Sequence, residues 1–347
     1  MSKMSTELSR HALNGPTMGT RWSALFFAPA GFDVDRVKIA LQAAVDEVDT
    51  QMSTWKPDSD LSRLNAAAQE VWVAVPPRLM TVLAAGLEIG RASSGAFDIG
   101  LGDAVAAWGF GPAAASPPGI RAALRASRRP AHDVLELDPQ SRRVRKHGVL
   151  PIDLSGIAKG YGVDRLAEVA TGFGITAALV AIDGELRAIG LQPDDAPWTV
   201  AIERPDPATR APHAILALGD AAVATSGDYR HFVEVGGRRL SHTMDPARGG
   251  PLASSPASVT VVAASCMAAD AWATALMVKG SVAGARLARR YGLDALFIEI
   301  EGERLRETGA GRLFEAPWPH ATPGHAPGAW LDRHDAHDPR QEAPSPS

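Results

Sequence analysis

Asp270 and Thr274 stand four residues apart in the stretch AADAWATALMVKG, residues 268–280. On a helix that spacing puts both side chains on one face. One is a charged oxygen ligand and the other a neutral one. Such a pair suits a hard cation such as Mg2+, which takes one or two carboxylates together with phosphate oxygens and water. A plainer use is open to both residues. Thr274 can bond back to the Asp270 carbonyl, and Asp270 can sit in a first helical turn where the dipole favours a negative charge.

A second set lies in PIDLSGIAKGYGVDRLAEVA. A short strand delivers Asp153, Ser155 and Gly156 form a turn, and Lys159 falls in the first turn of a helix. A lysine there opposes the helix dipole. A bound anion would relieve the conflict, and backbone N–H groups with Lys159 would make a phosphate site; a surface lysine at a frayed turn is the alternative. The spacing of a phosphate-binding P-loop is absent, as is the G-x-G-x-x-G of a dinucleotide-binding unit. In VATSGDYRHFVEVGGRRLSHTMDPARGGP, Thr225 and Ser226 precede a glycine turn, and His242 ends a strand beside the tight turn DPARGG. An imidazole titrates near neutrality and can carry a proton, although a lone histidine is more often structural. Three further motifs carry polar residues at turns: TMGTRW, MSTWKPDSDLSRLN and SGAFDIGLG. Ser59 or Asp60 can serve as a helix N-cap, and Asp98 can cap its own turn.

These residues need rigid elements to hold them. Helical periodicity runs through Val37, Ile39, Ala40, Leu41, Ala44, Val45 and Val48. RLMTVLAAGLEIGRASSG and AKGYGVDRLAEVATGFG read as helices that end at glycine. Strand-like runs are WSALFFA, VWVAV, AALVAID, WTVAIERP, HAILALGDAAVATSG, HFVEVGGRRLSHTM, SVTVVAA and DALFIEI, and the Gly-Gly of EVGGRRL signals a hairpin. The late strands follow one another directly, which predicts an α+β fold with largely antiparallel sheets and packed helices. AWGFGPAAASPPGIRAA reads as a surface loop. Residues 1–13 read as a flexible leader, 14–317 as one domain, and 318–347, rich in Pro and His, as a disordered tail.

The chain has 347 residues, of which 46% are hydrophobic and 21% charged, and this fits a globular protein. A net charge of −4 with interspersed signs offers no patch for nucleic acid or an anionic membrane. A single cysteine, Cys266, allows no intrachain disulfide. ASVTVVAASCMAADAWATALMV is long and carries a single charge, but a membrane span would place Asp270 at depth at a cost of a few kcal/mol. A buried strand running into a buried helix is the simpler reading. No apolar core precedes the first motif and no lipid-attachment cysteine stands near the start, so the expected location is cytoplasmic, or periplasmic only if the true N-terminus is missing.

Taken together and in order, TMGT, MSTWKPDSDLSRLN, GAFDIG, IDLSGIAKGYGVDRL, ATSGDYRHF, SHTMDPARGGP and ADAWATALMVKG resemble the ApbE family, the FAD:protein FMN transferases. The resemblance covers about residues 17–300. It implies a single domain of two lobes with the active site in the cleft between them. It also implies FAD as substrate, Mg2+ as the required metal, AMP as leaving product, and FMN joined by a phosphoester to a threonine or serine of an acceptor flavoprotein. The family's flavin contacts fall on Met18, Trp55, Ala96, Phe97, Asp98, Asp153, Lys159 and Met244. Its metal ligands fall on the Gly156 carbonyl, Asp270 and Thr274, and its histidine on His242, the candidate general base. Two departures stand out. Trp55 occupies a position that is usually tyrosine, and IDGELRAIG has Asp183 and Glu185 where the family has Gly-Gly-Asp. If the first of those glycines needs positive φ, aspartate tolerates it better than most residues. A Mg2+-dependent FAD pyrophosphatase and a non-catalytic flavin-binding protein remain alternatives.

Overall fold

The computed structural model describes residues 8–228, 232–235, 238–302 and 304–315. The chain opens with β1 (Leu8–Thr17), β2 (Thr20–Pro29), α1 (Val34–Met52), α2 (Asp60–Ala66), β3 (Val73–Ala74) and α3 (Pro77–Ala92). It continues through α4 (Gly102–Ala107), α5 (Pro117–Arg125), α6 (Ala131–Val134), β4 (Leu135–Asp138), β5 (Arg143–Lys146) and α7 (Ala158–Gly172). Next come β6 (Ala178–Ile182), β7 (Glu185–Ile189), β8 (Trp198–Glu203), β9 (Pro212–Leu218), β10 (Ala222–Gly227), β11 (Phe232–Val235) and β12 (Arg238–Ser241). The last elements are β13 (Met244–Asp245), β14 (Gly250–Pro251), β15 (Ser258–Ala263), α8 (Cys266–Arg290), β16 (Asp294–Glu301) and β17 (Arg304–Ala310).

Eight strands form one sheet in the order β1-β2-β6-β7-β10-β15-β16-β17, and every pairing in it is antiparallel. The class expected from the sequence is the one the chain forms. Alternation along β2 sends Trp22, Ala24 and Phe26 to one face, where they meet Val37, Leu41 and Val45 of α1 and Val163 and Leu166 of α7. The opposite face is covered by the β8–β9 hairpin, whose Trp198, Val200, Ile202 and Leu216 pack on Val223, Val262 and Ile298. β15 is therefore covered on both sides, which is why SVTVVA lacks polar alternation. α8 follows it directly, with the Ser265 side chain accepting the Ala268 N–H as N-cap. Gly280, at φ 72°, breaks that span into two helices across a kink. Among the described residues no helix is long and apolar enough to cross a membrane.

Three sequence expectations change. Residues 8–13, assigned to the leader, form the outer half of β1, held by backbone pairing to β2 from Leu8↔Pro29 inward. Most of the side chains in that half face solvent, which is why they carried no core pattern. VWVAV narrows to Val73–Ala74 as strand. The proposed surface loop contains the start of α5, capped by Ser116 and opened by Pro117 at a position where proline suits a first turn. β11 and β12 do pair as the expected hairpin. The tail 318–347 and residues 1–7 lie outside the described residues.

Candidate active site

The turn that leads into α7 is pinned from two sides. The amide of Asn65 donates to the Ile152 carbonyl at 2.8 Å and its oxygen accepts the Ile152 N–H at 2.8 Å. Asp153 N–H donates to the Ile99 carbonyl at 2.8 Å, and Gly102 N–H to the Pro151 carbonyl at 2.9 Å. Asp153 then accepts the Ser155 N–H at 3.0 Å and the Ser155 hydroxyl. Desolvation pushes the Asp153 carboxyl up, and these two bonds oppose it. Asp98 caps its own turn, accepting Gly100 N–H at 2.8 Å, and also reaches Ala131 N–H at 3.1 Å. Ser59 is the N-cap of α2, accepting Ser62 N–H at 2.9 Å.

α7 and α8 meet at Gly160. A Cβ there would lie 2.3 Å from the Cys266 carbonyl oxygen and 2.7 Å from the Asp270 Cβ, so only glycine permits the approach. Gly160 stands in the first turn of α7, where backbone N–H groups have no partner within the helix. Its N–H donates to Asp270 Oδ2 at 2.9 Å, across 110 residues of sequence. One turn further along α7, Asp164 accepts Cys266 N–H and Met267 N–H at 2.9 Å each and pairs with Arg187. Asp164 thus satisfies two orphan donors at the start of α8, and α7 fixes the register of the helix that carries Asp270 and Thr274. On the same face, the Thr274 hydroxyl lies 3.3 Å from the Ser226 hydroxyl of β10 and 3.3 Å from where a Gly156 Cβ would stand.

Lys159 is the charged centre of this wall. Its Nζ donates to Glu185 Oε1 at 2.8 Å and lies 3.8 Å from Asp183 Oδ2. Protein carboxylates therefore offset the dipole conflict expected from the sequence. Both acids come from the β6–β7 turn, where Asp183 adopts φ 53°, the left-handed conformation anticipated for this position. Burial would depress the Lys159 ammonium, but Glu185, Asp270 and Asp183 together raise it above the ordinary lysine value. Asp270 is 5% exposed. Desolvation and the Glu185 charge push its carboxyl up to about 7, against the pull of Lys159 and the Gly160 bond.

That shift has a sign that can be tested. The folded state holds the Asp270 proton above pH 3.8, where the unfolded chain releases it. Its contribution to stability is complete below that pH and is lost as pH rises through about 7. In metal-free buffer, urea unfolding should show wild type losing up to roughly 4 kcal/mol between pH 4 and 8 relative to Asp270→Asn, which has no such proton. Parallel pH profiles for the two proteins would refute the assignment.

Two adjoining cavities open beside these residues. The first, of about 710 Å³, is lined by Ala96, Phe97, Asp98, Gly156, His242, Met244, Asp270 and Thr274. The second, of about 540 Å³, is lined by Met18, Trp55, Met52 and Phe110. Asp153, Ser155 and Lys159 line both. Every site residue that the family resemblance implies therefore lines one or both of two cavities that share a wall. Met18 sits at φ 44° and Gly19 at φ 73° in the two-residue turn between β1 and β2, so backbone geometry aims the methionine. Trp55 is 63% exposed at the mouth of the second cavity. The His242 ring lies 6.3 Å from that of Phe110, centroid to centroid, and so stands where the cavities meet. Met244 is buried against Leu101, Ala104 and Trp108.

A Mg2+-type cation fits the donors present. Asp270 Oδ2 is engaged by Gly160, which leaves Oδ1. The Gly156 carbonyl, in the turn before the N-cap Ile157, accepts no backbone hydrogen bond among the described residues. Among those residues no three His, Cys, Asp or Glu side chains gather into a metal-holding group. The donor set is thus one carboxylate with neutral oxygens, the kind that Mg2+ completes with water and phosphate rather than the kind Zn2+ requires. Sequence reasoning missed the roles of Asn65 and Asp164 and placed Ser226 only at a strand end before a turn. Asp164 left a trace, as an acid on the apolar face of α7 between Val163 and Leu166.

Residues 18–297 match the ApbE family. A Vibrio cholerae serotype O1 protein named FAD:protein FMN transferase is 38% identical over 301 residues, spanning 85% of this chain and 89% of its own. The protein of that name from Escherichia coli K12 is 35% identical over 305 residues, 85% of each chain. The solved structure of the flavin transferase ApbE from Vibrio cholerae superposes with a TM-score of 0.78 at 34% identity, covering 88% of this chain and 98% of that one. With the fold, the length and the motif order all shared, this chain belongs to the ApbE family.

Proposed function

We propose that this chain is a Mg2+-dependent FAD:protein FMN transferase, which cleaves FAD to AMP and joins FMN by a phosphoester to a threonine or serine of an acceptor flavoprotein. The observation that carries the reading is the convergence of Gly156, in the turn before α7, and Lys159 on α7 with Asp270 and Thr274 on α8 at one wall of the cleft. The first cavity, with its charged wall, suits a pyrophosphate. The second, with Met18, Trp55 and Phe110, suits the flat isoalloxazine ring.

Phosphoryl-type transfer leaves the protein mainly positioning and electrostatic work. Asp270, Thr274 and the Gly156 carbonyl would hold the cation, which when bound offsets charge on the pyrophosphate oxygens. Lys159, held by Glu185 Oε1, would add positive charge on the same side. Asp98 and Asp153 hold backbone turns that line the first cavity. His242 accepts the proton of the acceptor hydroxyl. That hydroxyl oxygen attacks the FMN-side phosphorus, the bond to the AMP oxygen breaks, and AMP leaves.

Incubation with FAD, Mg2+ and a candidate acceptor domain, followed by intact mass, tests the whole reading. The acceptor should gain one FMN phosphoester, and its Thr→Ala variant none. Free FMN and AMP formed without acceptor would make the chain a pyrophosphatase instead. FAD that stays intact through prolonged incubation would make it a binding protein.

A further inference from the structure

Glu185 opens β7 directly after the Asp183 turn, and its side chain is 4% exposed. Only one of its carboxylate oxygens is accounted for. Oε1 accepts from Lys159 at 2.8 Å. Oε2 is buried and has no hydrogen-bond partner among the described residues. An unpaired buried carboxylate oxygen is costly, and in a polar cavity it calls for a donor supplied from the cavity side. Glu185 lines the first cavity on the same wall as Asp270, and its charge is felt there.

Asp183 and Glu185 lie beside the single ammonium of Lys159, and Asp270 lines the same wall. A cation bound there would favour the ionised form of these acids. Yet the acids do not gather closely enough to form a metal cage by themselves. Mg2+ keeps several of its waters when bound, and carboxylates that accept from such waters tune the site as strongly as many direct ligands.

We propose that Glu185 is a positioning residue of the cation site, its Oε2 accepting a hydrogen bond from a water molecule bound to Mg2+ while Oε1 holds Lys159. The inference rests on the Mg2+ reading above. Glu185 then has two tasks on a rigid hairpin: it keeps Lys159 extended along the wall, and it fixes one hydrated side of the ion.

Mn2+ binding to the protein without FAD, followed by electron paramagnetic resonance, tests this apart from catalysis. Glu185→Gln should weaken Mn2+ affinity about 10–100-fold. The same substitution in a Lys159→Met background should weaken it to a similar degree, because the contact to the ion does not pass through lysine. Thermal melts identify any variant that fails to fold, and the comparison within the Lys159→Met background keeps the test valid if Glu185→Gln alone strands the lysine. Unchanged Mn2+ affinity in Glu185→Gln overturns the proposal. So does an effect that vanishes once Lys159 is gone, or a loss confined to FAD affinity. Asp270→Ala serves as reference: if it keeps wild-type Mn2+ affinity, the cation reading itself fails, which is a different result from failure at Glu185 alone.

Discussion

Asp270→Ala is expected to lower FMN transfer on the order of 10³-fold with Mg2+ present. The size follows from the several kcal/mol that a bound cation contributes to charge stabilisation, at 1.36 kcal/mol per tenfold. Alanine has a second effect. It removes the acceptor of the Gly160 N–H and leaves that buried donor unsatisfied, at about 1–3 kcal/mol of stability. Asp270→Asn separates the two, because the amide oxygen can still accept from Gly160 while the charge is gone. Both variants should lose transfer, but asparagine should keep the wild-type melting temperature more nearly. Rates by intact mass of the acceptor, with melts alongside, decide it. Transfer at the wild-type rate by either variant would remove Asp270 from the mechanism.

Gly160→Ala should disturb the fold and the site together. In an exposed helix interior, alanine would gain about 1 kcal/mol over glycine. Here the added carbon would meet a backbone oxygen at 2.3 Å, and neither helix can yield without moving the Asp270 side chain. Overpacking of this kind costs about 1–3 kcal/mol, and the helices must part for the chain to fold at all. The expected result is a lower melting temperature together with Mn2+ affinity reduced at least tenfold. Gly162→Ala is the control, two residues along the same helix. Its methyl would meet only the ends of two side chains, Ile182 Cδ1 at 2.8 Å and Met18 Cε at 3.1 Å, which can turn aside. Equal behaviour of the two variants would show that the α7–α8 contact does not set the site.

Much of the site could be read before the fold because its residues sit in local signals. Asp270 and Thr274 announce themselves by helical spacing, and Lys159 by its discord with the helix dipole. Asp98 and Ser59 lie at turn and cap positions where side chain and backbone are close in sequence. What could not be read is the choice of long-range partner. Asn65 reaches Ile152 across 87 residues and Asp164 reaches Cys266 across 102. No periodicity carries such pairings, since they depend on which faces dock. The relief of Lys159 was half legible. Its need for negative charge followed from the dipole, but its source in Glu185 depended on a hairpin folding back over α7. β1 escaped for a related reason: an edge strand with a solvated face is defined by its backbone bonds, which leave little mark on composition.

The contact between Gly160 and Asp270 closes a loop of 110 residues. A covalent link across about 100 residues stabilises a fold by about 4.7 kcal/mol in the chain-entropy view. An ion held by Gly156 on one side of that loop and Asp270 on the other acts as a removable version of such a link. Its strength follows free concentration, about 2.7 kcal/mol at a hundredfold excess over its dissociation constant. Ion supply would then govern persistence as well as turnover: a cell short of Mg2+ would hold a population of this protein whose two halves of the cleft are tied by apolar packing, one hydrogen bond and the Asp164 cap, without the ion.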